Sequence, residues 1–268
     1  MTGVRYVHGY SAREADRLAD QANTLSELLH HDTLYPPGSL VLECGCGTGS
    51  QTVLLASRNP GARIVSVDLS AASLKQARAR VEAAGHRNVE FRQADLFDLP
   101  FGEERFDHVF VCFVLEHLAE LAAALETMKR VLRHGGTITA IEGDHGSWYC
   151  HPHTPESSRA VECLVEAQAR LGGDALVGRR RYPLLAEAGF RHVRVSPRMV
   201  YVDASRPDLV EGFSRNTFIA MVEGVRDRAL SLGLVDPGTW DKGIADLYRA
   251  TESDGTFCYT FFKGTAER

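Results

Sequence analysis

The residues with the clearest chemical potential in this 268-residue chain are Glu43-Cys44-Gly45-Cys46-Gly47-Thr48-Gly49. Glycines at alternate positions can take positive φ, and without a Cβ they let the backbone pass close under a ligand. The apolar run LVLEC (40–44) precedes them and an amphipathic stretch follows, so the bend reads as a strand-to-helix turn. The usual dinucleotide turn is G-x-G-x-x-G, and Ser50 stands where its last small residue belongs. The spacing here is Gly-x-Gly-x-Gly behind an acid. Two more acids close strands. Asp68 ends RIVSVD nineteen residues beyond Gly49, where a carboxylate can accept both hydroxyls of a ribose. Asp95, in Ala94-Asp95-Leu96, ends the next strand, where it can accept from an exocyclic adenine amine. Each acid alone reads equally well as a helix N-cap. Together, at one edge of a sheet, the three make a ligand site. His151-x-His153 with Cys150 or Cys163 supplies metal-ligand types, but no second pair has suitable spacing, so no metal is expected.

The elements that must position these groups alternate. Strands are predicted over 40–44, 62–68, 89–95, 106–114 and 137–143, and helices over 50–57, 70–84 and 119–132. Gly85 and Gly135-Gly136 are stop signals for the second and third helices. Alternation of this kind predicts an α/β fold: a Rossmann-like, doubly wound, mostly parallel sheet. Ahead of it stands an N-terminal helix, with a Ser11/Glu14 capping box and Ala15, Leu18, Ala22, Leu25 and Leu29 at helical spacing. His30-His31-Asp32 reads as its solvated end, before the turn Tyr35-Pro36-Pro37-Gly38. Beyond 143 the rhythm changes. A loop rich in His and aromatics (144–155) leads to a helix over 155–171, a crossover helix over 181–190 and a strand over 191–203. A helical insertion spans 205–252, its Phe213, Phe218, Trp240 and Tyr248 read as core, and a strand over 256–264 closes the chain. We read one domain: a helical cap (1–38), a binding core (39–143), helical lid insertions (144–180 and 205–252) and the closing strand.

With 30 basic and 35 acidic residues the net charge is −5, which argues against a nucleic-acid partner. The longest apolar run, Val109 to Leu115, is too short to span a bilayer, and the polar N-terminus lacks a secretory stretch, so no membrane partner is expected. Six cysteines in a chain of this length are no disulfide framework and suit a reducing cytoplasm.

The segment 40–143 resembles the class I S-adenosylmethionine-dependent methyltransferases, in particular their small-molecule type 11 group. The matching pieces are VLECGCGTG (41–49), VDLS (67–70), the Asp95–Leu99-Pro100-Phe101–Phe106-Asp107 series, VLEHL (114–118) and LRHGGTITAIE (132–142). The resemblance implies S-adenosyl-L-methionine as cofactor. It places Glu43, Gly45, Cys46, Gly47 and Gly49 along its methionine and ribose, Asp68 on the ribose and Leu69 against adenine. Ala94, Asp95 and Leu96 would border the adenine amine, Phe113 the methionine moiety, and His117 one turn further on. Cys112 stands where a polar residue is common. Glu43 and the aromatic faces of Phe113 and Tyr10 would favour a positively charged sulfonium. Tyr10 and Gln21 would close over the cofactor from the N-terminal helix. The stretch HGYSAREADRLADQANTL (8–25) also resembles N-termini of bacterial secondary-metabolite methyltransferases, some of which methylate indole rings at carbon. The acceptor implied is a small, aromatic or heteroaromatic molecule, methylated at carbon or nitrogen, with Tyr10, Glu142, His145 and Tyr149 as candidate catalytic groups. A non-catalytic S-adenosylmethionine-binding regulator and an NAD-dependent oxidoreductase are the alternatives, the latter opposed by Ser50 and VLEHL. A nucleic-acid base methyltransferase would carry an (Asn/Asp)-Pro-Pro-aromatic motif where Cys112-Phe113-Val114 stands.

Overall fold

The computed structural model describes residue 22 and residues 24–268. Tyr10, Gln21 and the Ser11/Glu14 capping box lie outside the described residues. The described part of the first helix, α1, covers 24–30. It is followed by β1 (Leu40–Cys44), α2 (Ser50–Arg58), β2 (Arg63–Asp68), α3 (Ala71–Ala83), β3 (Val89–Gln93) and β4 (Phe106–Cys112). A short 3-10 turn (Leu115–His117) leads to α4 (Leu121–Val131), β5 (Leu132–His151) and α5 (Pro155–Ala169). After a second 3-10 turn (Val177–Arg180) come α6 (Arg181–Glu187) and β6 (Arg191–Val202). The insertion is helical throughout: α7 (Pro207–Leu209), a π-helical stretch (Val210–Ile219), α8 (Ala220–Glu223), α9 (Arg226–Ser231) and α10 (Pro237–Arg249). The closing strand is β7 (Thr256–Glu267).

Sheet order is β3-β2-β1-β4-β5-β7-β6. The pairs from β3 to β5 are parallel, and β7 runs antiparallel between β5 and β6. The chain moves outward from β1 to β3, then restarts at β4 on the other side of β1, so the strand order reverses between them. A crevice opens at such a point beyond the carboxyl ends of the strands. The central strands are buried on both faces, as parallel strands between helical layers must be. Val41, Ile64 and Phe110 point to one layer, while their neighbours Leu42, Val65 and Val111 point to the other.

Three expectations are corrected. The segment 144–151, read as loop, is the far half of β5: Trp148 to His151 pair with Tyr259 to Thr256 after a register shift. Gly143, Asp144 and Gly146 interrupt the alternation that would have marked it, and the hydrogen bonds come from a strand more than a hundred residues away. His30 is not solvated. It is 2% exposed, with Nε2 2.8 Å from Gln51 Oε1, and burial, aided by the Lys263 charge, lowers its pKa to about 4. Asp32 beside it accepts from Lys263 Nζ at 2.6 Å. In the insertion Phe213, Phe218 and Trp240 are core, but Tyr248 is 37% exposed on α10, its hydroxyl 3.4 Å from Glu223.

Candidate functional site

The glycine bend leaves β1 at the crevice. The amides of Gly45 and Cys46 donate to Val67 O at 2.8 and 3.0 Å, fastening the bend to the tip of β2. Gly45, Gly47 and Gly49 have φ of +72°, +51° and +84°, a region that side chains strain to enter. Space adds a second requirement at two of them. A Cβ on Gly45 would lie 2.6 Å from Val114 Cγ2, and one on Gly49 would lie 2.7 Å from Ala77 Cα. A Cβ on Gly47 would meet nothing within 4 Å, so the middle glycine faces the open side.

Asp68 ties that middle glycine down. Its Oδ2 accepts from the Gly47 amide and its Oδ1 from the Ser70 amide, both at 2.8 Å. An ionised carboxylate has about four acceptor positions, so two hydroxyls can still bind. Next to it Leu69 is 53% exposed, an apolar plate at a strand tip. Gln93 Nε2 donates to Leu69 O at 2.9 Å, and the Ala94 amide to Asp68 O at 3.1 Å, which brings the 94–96 turn alongside. There Ala94 is buried, Leu96 half-buried and Asp95 exposed, with the Phe97 amide on its Oδ1 at 2.9 Å. An open glycine bend, an acid at its rim, an apolar plate and a second acid fit the ribose and adenine of an adenosyl ligand.

Glu43 stands beneath the bend rather than on its open side. It is 2% exposed, and its Oε2 accepts from Thr52 Oγ1 at 2.8 Å and Ser66 Oγ at 2.6 Å. Burial, with the Asp68 charge adding, pushes its pKa up to about 7 against the pull of those hydroxyls. Cys46 is buried, its thiol pushed up by burial.

The opposite wall is the turn after β4. Phe113 has φ +58°, a left-handed conformation unusual for an aromatic residue, and its amide donates to Ile141 O at 3.0 Å. Cys112 before it is buried. The half-buried Phe113 ring lies 5.6 Å from Phe261. Glu142 is fully buried, and its Oε1 accepts from the amides of Val114 (3.0 Å) and Leu115 (2.7 Å). Burial and the nearby Glu116 charge raise its pKa to about 8, although Arg181 and the two amides oppose this.

A buried polar cluster continues from that turn. His145 Nδ1 is 2.7 Å from the Tyr259 hydroxyl, and its Nε2 is 3.3 Å from Glu116 Oε2. Gln168 Nε2 donates to Glu116 O at 3.0 Å and to Oε2 at 3.2 Å, and His117 Nε2 lies 3.6 Å from Glu116 Oε1. Burial works to raise the Glu116 carboxyl, but His117, His145 and Gln168 together hold it well below the ordinary carboxylate range. Of the candidate catalytic groups, the structure gathers Glu142 and His145 here. It does not gather Tyr149, which is 55% exposed beside Cys258 and Tyr201. The cause is strand alternation: Trp148 points inward against Phe218 and Phe257, so Tyr149 must point out.

The pattern along the chain did not reveal Glu116, Tyr259, Gln168 or Arg181. Glu116 lay inside VLEHL and carried a signal; the others join the cluster only through the β5–β7 pairing and the packing of α5 and α6. Among the described residues no three His, Cys, Asp or Glu side chains are disposed to hold a metal, and no helix is long and apolar enough to cross a membrane.

Comparison with known proteins agrees with this geometry. Residues 42–140 match the family described as a methyltransferase domain. The chain is 34% identical over 190 residues to a 37.1 kDa protein of transposon TN4556 from Streptomyces fradiae, covering 70% of this chain and 54% of that one. It thus spans about half the length of that relative. It is 31% identical over 191 residues to the ubiquinone/menaquinone biosynthesis C-methyltransferase UbiE of Pseudomonas syringae pv. tomato, covering 70% of each. In fold it is similar to phosphoethanolamine N-methyltransferase 2 of Haemonchus contortus, solved with S-adenosylhomocysteine. That likeness has a TM-score of 0.56 at 18% identity, over 92% of this chain and 52% of the other.

Proposed function

Since this chain belongs to the class I S-adenosylmethionine-dependent methyltransferases, we propose that it transfers a methyl group to a small aromatic or heteroaromatic acceptor. The observation that carries the acceptor class is a continuous aromatic wall leading away from the cofactor-side turn. Phe113 meets Phe261, which meets Phe213 and Tyr259; Tyr259 meets Phe218, which meets Phe257 and Trp148. Centroid distances of 4.7–5.8 Å suit offset or edge contacts. Phe213, Phe218, Phe257, Tyr259 and Phe261 are buried core that backs the half-buried Phe113 and Trp148, the two rings of the wall left to meet a planar acceptor. The relative named as a ubiquinone/menaquinone biosynthesis C-methyltransferase supports the same reading.

When bound, S-adenosylmethionine supplies an electrophilic methyl group. The chain's part is to hold donor and acceptor in line, which is where most of the acceleration arises. Asp68 and the bend fix the adenosyl end, and the Phe113 turn bounds the other. His145 has Nδ1 on the Tyr259 hydroxyl and Nε2 beside Glu116, so a proton released by the acceptor would reach it by way of that hydroxyl. On this reading the chain is one domain acting in the cytoplasm on a small metabolite, neither nucleic acid nor membrane, and natural-product biosynthesis is the setting we favour.

Incubation with isotope-labelled cofactor and a panel of phenols, indoles, amines and quinones tests this, with mass spectrometry of the products. We expect a single added methyl on an aromatic panel member. Methylation confined to aliphatic amines would overturn the acceptor class. If every panel member fails while the cofactor binds, the non-catalytic regulator replaces the enzyme.

A further inference from the structure

Glu142 is an expensive side chain to keep. It is fully buried, and one oxygen, Oε1, takes both the Val114 and the Leu115 amide while Oε2 has no partner among the described residues. The guanidinium of Arg181, also fully buried, leaves Nη1 without a partner and makes no ion pair with it. An unsatisfied buried carboxyl oxygen costs stability, so a group that retains one calls for an explanation. What Oε1 holds supplies it. The two amides follow Phe113, whose φ of +58° an aromatic residue adopts only when its surroundings impose it. The restraint has three points: the Phe113 amide on Ile141 O, the Val114 and Leu115 amides on Glu142, and the Val114 side chain against the Cα of Gly45. Because β4 is the neighbour of β1, this turn and the glycine bend face each other across the cofactor crevice.

We propose that Glu142 is a positioning residue for the cofactor: by gripping the Val114 and Leu115 amides it locks Phe113 in its left-handed conformation and seats Val114 against Gly45. The inference rests on the cofactor reading alone and is independent of the acceptor.

Calorimetric titration of the full chain with S-adenosylmethionine and S-adenosylhomocysteine tests it. Glu142→Ala removes the grip and Glu142→Asp falls one methylene short of it, so both should weaken binding by about tenfold. Glu142→Gln keeps an acceptor oxygen in place and should stay within about threefold of the parent. The decisive arm uses Phe113→Gly, since glycine takes positive φ without restraint. In that background the loss from Glu142→Ala should shrink to less than about threefold, a non-additivity that a merely structural contribution would not produce. Should Glu142→Ala fail to fold, as judged by circular dichroism, the contrast between Glu142→Asp and Glu142→Gln carries the test. Equal losses from Glu142→Ala with and without Phe113→Gly, unchanged binding by Glu142→Ala, or a Gln variant as weak as the Asp variant would overturn the proposal. Failure of the unsubstituted chain to bind either ligand would instead overturn the cofactor reading.

Discussion

Two carboxylates within one turn of the bend have opposite duties. Asp68 is half-buried at the rim and accepts two backbone amides, which leaves acceptor positions for a ligand. Hydrogen bonds to a charged group contribute about 1.5–3 kcal/mol. Asp68→Ala should therefore weaken S-adenosylmethionine binding by about ten- to a hundredfold by calorimetry. Glu43 touches hydroxyls of the fold, so any effect it has on a bound ligand must come through its charge. Its folded pKa of about 7 lies above the unfolded value of about 4.3, so the folded state binds the proton more tightly. The stabilisation that this represents is full below the unfolded value and is lost as pH rises towards 7. Urea midpoints of the parent should accordingly fall relative to Glu43→Gln between pH 5 and 7.5. A bound sulfonium prefers the ionised carboxylate, so the affinity ratio of S-adenosylmethionine to S-adenosylhomocysteine should rise from pH 6 to 8. In Glu43→Gln that rise should vanish; a rise that persists would assign it to another group.

At the scale of elements, the site is a meeting of strand ends, and its precision depends on backbones that approach closely. Gly49 is where α2 leaves the bend and crosses α3, with room for no side chain above Ala77. Gly49→Ala must both take up a positive φ and push into backbone. We expect a loss of about 2–4 kcal/mol in chemical denaturation, whereas Gly47→Ala, with open space before it, should cost only the conformational part, about 1 kcal/mol. The same two substitutions should separate in ligand binding the other way, because only the Gly47 methyl points into the crevice. Both turns at this edge of the sheet, the bend and the Phe113 turn, are left-handed at their centres. Neither belongs to a helix or a strand, so each is held by its neighbours, Asp68 for one and Glu142 for the other.

Over the whole molecule, the insertion between β6 and β7 packs against the sheet through β7. Phe213 of the π-helical stretch contacts Phe257, Tyr259 and Phe261 along β7, joining the insertion to the sheet. Gly212 beside it lies so near Thr24 of α1 that a Cβ would come within 2.4 Å of Oγ1, so the first helix is packed on the same stretch. Phe213→Ala should cost about 3–5 kcal/mol in urea unfolding, as truncation of a buried aromatic does. If the insertion is a lid for the acceptor, the same variant should leave cofactor affinity within about threefold while lowering turnover on whichever panel member is methylated. Loss of cofactor binding to the same degree would make the insertion part of the nucleotide site instead.

Local patterning was enough to announce the parallel core, because the strands and helices of 40–143 carry their own apolar periods and Gly85 ends α3 as expected, although Gly135-Gly136, read as the stop of the next helix, lies inside β5. The bend, Asp68 and Asp95 were readable for the same reason: they sit at the ends of segments that declare themselves. Sequence distance hid the rest. His30 became a buried neutral imidazole only when Gln51 and Phe110 closed over it. The far half of β5 became a strand only because β7 came back to pair with it, and that pairing decided which of Trp148 and Tyr149 faces inward. The Glu116–His145–Tyr259 cluster draws on residues more than a hundred positions apart, and its members carry no common spacing. Covalent neighbours, then, determine the parallel core and its glycine bend through local hydrogen bonding and apolar period; the buried polar cluster behind the Phe113 turn exists only where long-range pairing brings unrelated side chains into one dry space.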